Sequence, residues 1–230
     1  MNYHNITKDD MLNGDGLRTV LWTSGCNHGC QGCQNCQTWN PKSGIEFDEA
    51  AKEELLLSLE FDSNTGITFS GGDPLFPGNR ETVLELMKEI KEKFPDKTIW
   101  SYTGYRYEDV KDLPHMQYID VLVDGEYEQD KRDVTLYWKG SSNQRVIDVK
   151  ATRLLEKCGM LKEGEVYLHC GDHTLNPTEC NRKELNEFLN KPVTKSILEG
   201  SSNTESYAEI FNNERYKQCS NETFEMDERE

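Results

Sequence analysis

The chain has 230 residues, 35% of them hydrophobic, and a formal net charge of −16. Its mean hydropathy is −0.81. That length fits one domain of ordinary size with a small appendage, and no apolar run approaches the ~20 residues of a membrane span. The acidity argues against non-specific binding to nucleic acid, whose phosphates it would repel.

The opening Met1-Asn2-Tyr3-His4-Asn5 shows no basic stretch followed by an apolar one, so a cytoplasmic location is expected. Eight cysteines in such a chain point to ligands or reactive thiols rather than disulfides. Cys26, Cys30, Cys33 and Cys36 are bunched too tightly to brace a fold, while Cys158, Cys170, Cys180 and Cys219 are scattered through the last third.

In chain order, Thr19–Thr23 reads as a strand running directly into the cysteine loop. Asp48 is placed to cap a helix through Glu60, with Ala51, Leu55, Leu56 and Leu59 on one face. Ile67–Ser70 reads as a buried strand ending at Gly71-Gly72-Asp73-Pro74. A helix over Arg80–Phe94, with Val83, Leu84, Met87 and Ile90 as its stripe, stops at Pro95. Thr98–Thr103 is the next strand, Tyr107–Leu113 a short helix, Ile119–Asp124 and Arg145–Val149 further strands. This alternation predicts α/β architecture with βαβ units around a parallel sheet. Such sheets place ligands at the C-terminal ends of their strands. The cysteine loop, Gly71-Gly72-Asp73 and Tyr102-Thr103-Gly104 each follow a strand, so all three are expected at one mouth. Beyond Lys150 a helix over Ala151–Cys158 and a strand over Glu165–His169 are expected, and the acidic terminus is expected to be disordered.

Cys26, Cys30 and Cys33 spell CxxxCxxC on a loop with Gly25, Gly29 and Gly32. Three thiolates at this spacing can converge on a metal centre, and the glycines let the backbone fold tightly around it. An iron–sulfur cluster held by three cysteines leaves one iron open for chemistry. Zinc with Cys36 as a fourth ligand, or free thiols, would use the same residues. Cys30, Cys33 and Cys36 also open a ferredoxin-like CxxCxxC, but no fourth Cys-Pro follows.

Asn13-Gly14-Asp15-Gly16-Leu17-Arg18, a strand and CxxxCxxC together resemble the radical S-adenosylmethionine (SAM) activases of glycyl radical enzymes, in particular the branch serving anaerobic ribonucleoside-triphosphate reductase. Ser70-Gly71-Gly72-Asp73-Pro74-Leu75 resembles that family's SAM segment, and Trp100–Tyr105, Ile119–Gly125 and Gly140–Arg145 resemble its later signatures, in order over about residues 1 to 150. The resemblance implies a partial open parallel (β/α) barrel over 1–157, with a C-terminal extension over 158–230. It implies a [4Fe-4S] cluster on Cys26, Cys30 and Cys33, and SAM against Gly32, Cys33, Gln34, Gly71, Gly72 and Asp73, with no catalytic side chain beyond the ligands. It further implies the reductase as protein substrate, a flavodoxin-like or other low-potential electron donor, and neither nucleic acid nor membrane as partner. His28 is then a neighbour of the cluster or exposed, not a ligand.

Cys36 is read as a spare, partly buried thiol. Asn143-Gln144-Arg145 suits hydrogen bonding to SAM or to the partner's backbone, or a role within its own loop. Cys158, His169, Cys170, His173 and Cys180 lack CxxC spacing, which favours ordinary structural roles over zinc; the extension is otherwise a docking surface. The rivals are an activase for another glycyl radical enzyme and a non-catalytic electron carrier or zinc module.

Overall fold

The computed structural model describes residues 1–157, 159 and 161–169. Every strand among the described residues lies in one compact unit, Met1–Thr152 with Gly164–His169; a second unit begins at Arg153.

One seven-stranded mixed sheet organises the first unit. Its strands are β1 (Asn2–Asp10), β2 (Leu17–Thr23), β3 (Ile45–Glu46), β4 (Asn64–Gly71), β5 (Thr98–Tyr102), β6 (Val121–Asp124) and β7 (Arg145–Asp148), in the order β3-β1-β2-β4-β5-β6-β7. The helices are α1 (Glu49–Leu59), α2 (Arg80–Lys93), α3 (Tyr107–Val110) and α4 (Val149–Lys157). β2, β4, β5 and β6 run parallel, and their near-continuous burial is what a sheet covered on both faces demands. α1 starts where expected: the Asp48 carboxylate accepts the Ala51 N–H at 2.9 Å and Ala51, Leu55, Leu56 and Leu59 are buried. α2 buries Val83, Leu86, Met87 and Ile90, with Leu86 rather than Leu84 on the inner stripe.

Alternation along the strands gives the sheet two unlike faces. Leu21, Ile67, Phe69, Ile99, Leu122 and Ile147 join the helices in the main core. Trp100, Val121, Val123 and Val146 form a second cluster with Tyr102 and Trp138. Arg18 is fully buried on β2, donating to Thr68 Oγ1, Thr98 Oγ1 and the carbonyls of Ile67 and Thr98 at 2.7–2.9 Å. Its guanidinium also lies over Trp100. Burial brings its pKa down to about 10 against the opposing charges of Asp120 and Asp15.

The sheet is mixed where the alternation predicts a parallel one. β7 runs antiparallel to β6 because only a 3-10 turn, Gln129–Lys131, interrupts their connection, so the chain doubles back instead of crossing over. β1 and β3, both antiparallel additions, have no counterpart in the expected elements. Asn2–Asp10 is too polar to read as a strand; its pairing with β2 makes it one. The segment 165–169 forms a single bridge, Leu168 to Ile147, rather than a strand. α3 is four residues long.

Arg145 locks β7 to β6 and α3. It donates to Glu108 at 2.9 and 3.0 Å and to the fully buried Asp124. Burial alone would raise the Glu108 carboxyl, but hydrogen bonds and charge from Arg145 outweigh it and hold the group below its ordinary 4.5. A carboxyl depressed in the folded state stabilises the fold above its unfolded pKa, and that contribution is lost as pH falls through the folded value. Glu108→Gln is therefore expected to melt below wild type near neutral pH and to converge on it as the pH is lowered through the folded value of Glu108. A gap that stays constant in thermal melts across that range would contradict the assignment.

Candidate functional site

The cysteine loop leaves β2 at Thr23 and is tied at its base. Ser24 N–H donates to the Asn2 carbonyl (2.9 Å), Gly25 N–H to Thr38 (2.7 Å) and Cys26 N–H to Trp39 (3.0 Å). Gly29 and Gly32 take positive φ of 65° and 70°, turns that a Cβ would strain. Cys26, Cys30 and Cys33 are half-buried, and each thiol meets a backbone group. His28's backbone bonds Cys26, Tyr127's bonds Cys30, and the Asn35 N–H approaches Cys33 Sγ at 3.4 Å. Burial pushes the Cys26 thiol up to about 11 and raises Cys30 as well, with the neighbouring thiols adding to both. The three sulfurs thus sit close enough to feel one another, and metal loading here displaces protons.

Among the described residues no three Cys, His, Asp or Glu side chains converge on a single ion. Cys36 begins a short 3-10 turn, Cys36–Thr38, and is exposed rather than partly buried.

The glycine turn after β4 is built onto this loop. Thr23 lies opposite Gly71 in the parallel ladder. Gly72 N–H donates to the Thr23 carbonyl and Asp73 N–H to the Gly25 carbonyl, both at 2.8 Å. A Cβ on Gly72 would come within 2.5 Å of the Gly25 carbonyl, and one on Gly71 within 2.6 Å of that of Thr23. The glycines are needed for this close approach of backbone to backbone. Asn79 Nδ2 closes the junction, donating to the carbonyls of Ser24 (2.8 Å) and Asp73 (3.0 Å).

Asp73 is 1% exposed, and its carboxylate accepts four hydrogen bonds. Leu75 N–H reaches Oδ1 at 2.7 Å; His28 Nε2 (2.7 Å), Thr103 Oγ1 (2.9 Å) and Gly104 N–H (3.0 Å) all reach Oδ2. His28 Nδ1 faces Glu126 Oε1 at 3.3 Å, and Tyr105 packs edge-on against the imidazole. With a carboxylate at each ring nitrogen, the Asp73 hydrogen bond foremost, the His28 pKa is raised against the opposing effect of burial.

The structure therefore brings Cys26, Cys30, Cys33, Gly71, Gly72 and Asp73 together at the C-terminal ends of β2 and β4. Gly32 and Gln34 are exposed, and the Gln129 side chain lies against Gly32. Asp73 turns its carboxylate toward the chain's own donors. His28, expected as a neighbour of the cluster or exposed, is the link between the cysteine loop and Asp73. Thr103 and Gly104, expected at the same mouth as the cysteine loop and the glycine turn, meet Asp73 there; Asn79, Tyr127 and Gln129 were not singled out by sequence. Gln144 and Arg145 serve their own loop, Gln144 bonding Gly140 N–H and the Gly125 carbonyl. Asn143 instead lines a cleft of about 710 Å³ that starts at Asn27 and His28. Of the scattered zinc candidates, His169 meets Asp15 at 2.9 Å; Cys158, Cys170, His173 and Cys180 lie outside the described residues, as does the terminus expected to be disordered.

No helix among the described residues is long and apolar enough to cross a membrane. Residues 12–147 match the family model described as 4Fe-4S single cluster domain. The chain is 44% identical over 146 residues to the anaerobic ribonucleoside-triphosphate reductase-activating protein of Enterobacteria phage T4, covering 64% of this chain and 93% of the relative. It is 42% identical over 151 residues to the protein of that name from Escherichia coli K12 (64% and 97%), and 40% over 148 residues to that from Haemophilus influenzae (63% and 96%).

Proposed function

Because this chain belongs to the family of anaerobic ribonucleoside-triphosphate reductase-activating proteins and carries its 4Fe-4S single cluster domain, we propose that it is a radical SAM activase that installs the glycyl radical on that reductase. The observation that carries this reading is the junction of the three-thiol loop with the Gly71-Gly72 turn, whose backbones lie directly against each other.

In this reading Cys26, Cys30 and Cys33 hold a [4Fe-4S] cluster, and Gly32, Cys33, Gln34, Gly71 and Gly72 border SAM. When bound, the pair would supply one-electron reductive cleavage of the SAM sulfonium, the chemistry needed to reach a glycine of the reductase. The chain's own residues bind and orient. Gly71 and Gly72 let main-chain carbonyls approach the ammonium group of SAM. Asp73 acts from beneath, fixing the turn through Leu75, Thr103, Gly104 and His28. The backbone groups at Cys26 and Cys30 offset part of the burial that raises those thiols.

The four parallel strands β2, β4, β5 and β6 are the part of the sheet that a partial radical SAM barrel would use. Residues 1–157 are proposed as the activase domain and 158–230 as a docking extension. The setting is taken as cytoplasmic, with a low-potential donor of flavodoxin type supplying the electron.

The test is anaerobic reconstitution with iron and sulfide, reduction, and assay for 5′-deoxyadenosine. SAM cleavage is expected. A bound cluster without cleavage, even with the reductase present, would favour an electron carrier, and zinc in place of iron would remove both readings.

A further inference from the structure

The β6–β7 connection, residues 125–144, walls one side of the cysteine loop. Glu126 Oε1 faces His28 Nδ1 at 3.3 Å, and the Gln129 carboxamide lies against Gly32. Its outer part is closed on itself, with Arg132 bridged to Ser141, and every residue from 128 to 135 is exposed. Trp138 folds this outer part back onto the sheet. Its ring packs edge-on against Trp100 of β5, centroids 5.0 Å apart, while its backbone stands at φ 58°, a left-handed conformation that bulky residues avoid. Such strain persists only where the surroundings over-determine the position.

The third ring at this place comes from beyond residues 12–147, the stretch that matches the family model. His169 lies 5.0 Å from the Trp100 ring and 5.7 Å from the Trp138 ring, so the three rings meet pairwise. Its side chain is 5% exposed, and Nε2 meets Asp15 Oδ2 at 2.9 Å. The segment that carries it, Gly164–His169, belongs to the same compact unit as the sheet. His169 N–H donates to the Val146 carbonyl (2.7 Å), Asp148 N–H donates to the Tyr167 carbonyl (3.0 Å), and Leu168 bridges Ile147. The imidazole is thus fixed from both ends, by the backbone of β7 and by the Asp15 carboxylate.

We infer that His169 is a positioning residue: it pins Trp138 against Trp100, and through Trp138 it holds the β6–β7 connection against the cysteine loop. The bearing on the cluster rests on the activase reading above; the contact among the three rings does not. The start of the extension acts from the face of the sheet that carries Trp100, opposite the helices. Without His169, one side of Trp138 loses its packing, and the strained backbone is free to relax. The wall at Glu126 and Gln129 then loses its outer anchor.

The test compares hydrogen exchange of the iron-free, full-length wild type and His169→Ala. Losing an aromatic contact of this kind shifts a local opening equilibrium about twofold to tenfold. Amides 126–131 are expected to exchange faster by that factor, with those of β2, β4 and β5 unchanged. Trp138 emission, isolated by difference from Trp138→Phe, is expected to shift toward that of a solvated indole. His169→Phe, which keeps a ring but loses the bond to Asp15, is expected to recover most of the protection. After anaerobic reconstitution, iron is expected to pass from His169→Ala to a chelator faster than from wild type. Faster exchange confined to 164–169, or spread evenly over the sheet, would overturn the inference. Should His169→Ala not fold, Trp138→Ala breaks the same contact from the other side and carries the same comparison. A wild type that loads no cluster or cleaves no SAM would count against the activase reading and leave the exchange result standing.

Discussion

Cys26→Ala, Cys30→Ala and Cys33→Ala are each expected to abolish cluster-dependent activity, while Cys36→Ala retains most of it. The three thiols share one loop whose base is tied at Ser24, Gly25 and Cys26, and each meets a backbone group. Removing one leaves two ligands for a cluster that needs at least three. Cys36 begins a 3-10 turn and is exposed. Iron and sulfide content after reconstitution, with 5′-deoxyadenosine as the activity readout, checks all four variants together. Full loss in a folded Cys36→Ala protein would show that the fourth cysteine is a ligand after all. The fold itself is expected to survive each ligand substitution, because the strands on which the loop rests are buried independently of the thiols.

Asp73→Ala is expected to have the largest effect on stability. Its carboxylate satisfies four donors from three separate segments, and His28 on the cysteine loop is one of them. Deleting it leaves those donors unmet in a site where Asp73 is 1% exposed and the His28 side chain 9%. Removing one partner of a buried ion pair costs about 3–5 kcal/mol, which for a unit of this size lowers Tm by about 10 °C. Release of His28 would also loosen the loop between Cys26 and Cys30, so reconstituted iron is expected to fall with stability. Asp73→Asn, which keeps one acceptor oxygen, should lie between wild type and Asp73→Ala. A melting temperature for Asp73→Ala within about 2 °C of wild type would mean that the carboxylate is not the anchor described.

The parallel centre of the fold is legible because its strands are apolar on both faces. Thr19–Thr23, Ile67–Ser70 and Thr98–Thr103 carry their signal in composition, within the observed strands Leu17–Thr23, Asn64–Gly71 and Thr98–Tyr102, and Asp48 marks the start of α1 by its capping chemistry. The antiparallel additions are not legible in this way. Asn2–Asp10 is a strand because β2 offers it a partner, and the direction of β7 depends on how residues 125–144 return, which no local pattern records. The same divide runs through the site. CxxxCxxC and Gly71-Gly72 announce themselves by spacing, and the structure adds the reason both glycines are needed: the backbone of the cysteine loop lies against them. The partners of the Asp73 carboxylate come from residues 28, 75, 103 and 104. Spacing cannot show which of them share an oxygen. Nor could it separate Asn143 from its neighbours Gln144 and Arg145, since all three can hydrogen-bond and only their surroundings differ.

The most direct measurement of the central claim is electron paramagnetic resonance of the reductase after anaerobic incubation with the reconstituted, reduced chain and SAM. A glycyl radical that appears only when SAM and all of Cys26, Cys30 and Cys33 are present is the expected result. A loaded cluster and cleaved SAM with no radical on the reductase would contradict the account and direct the search to a different substrate.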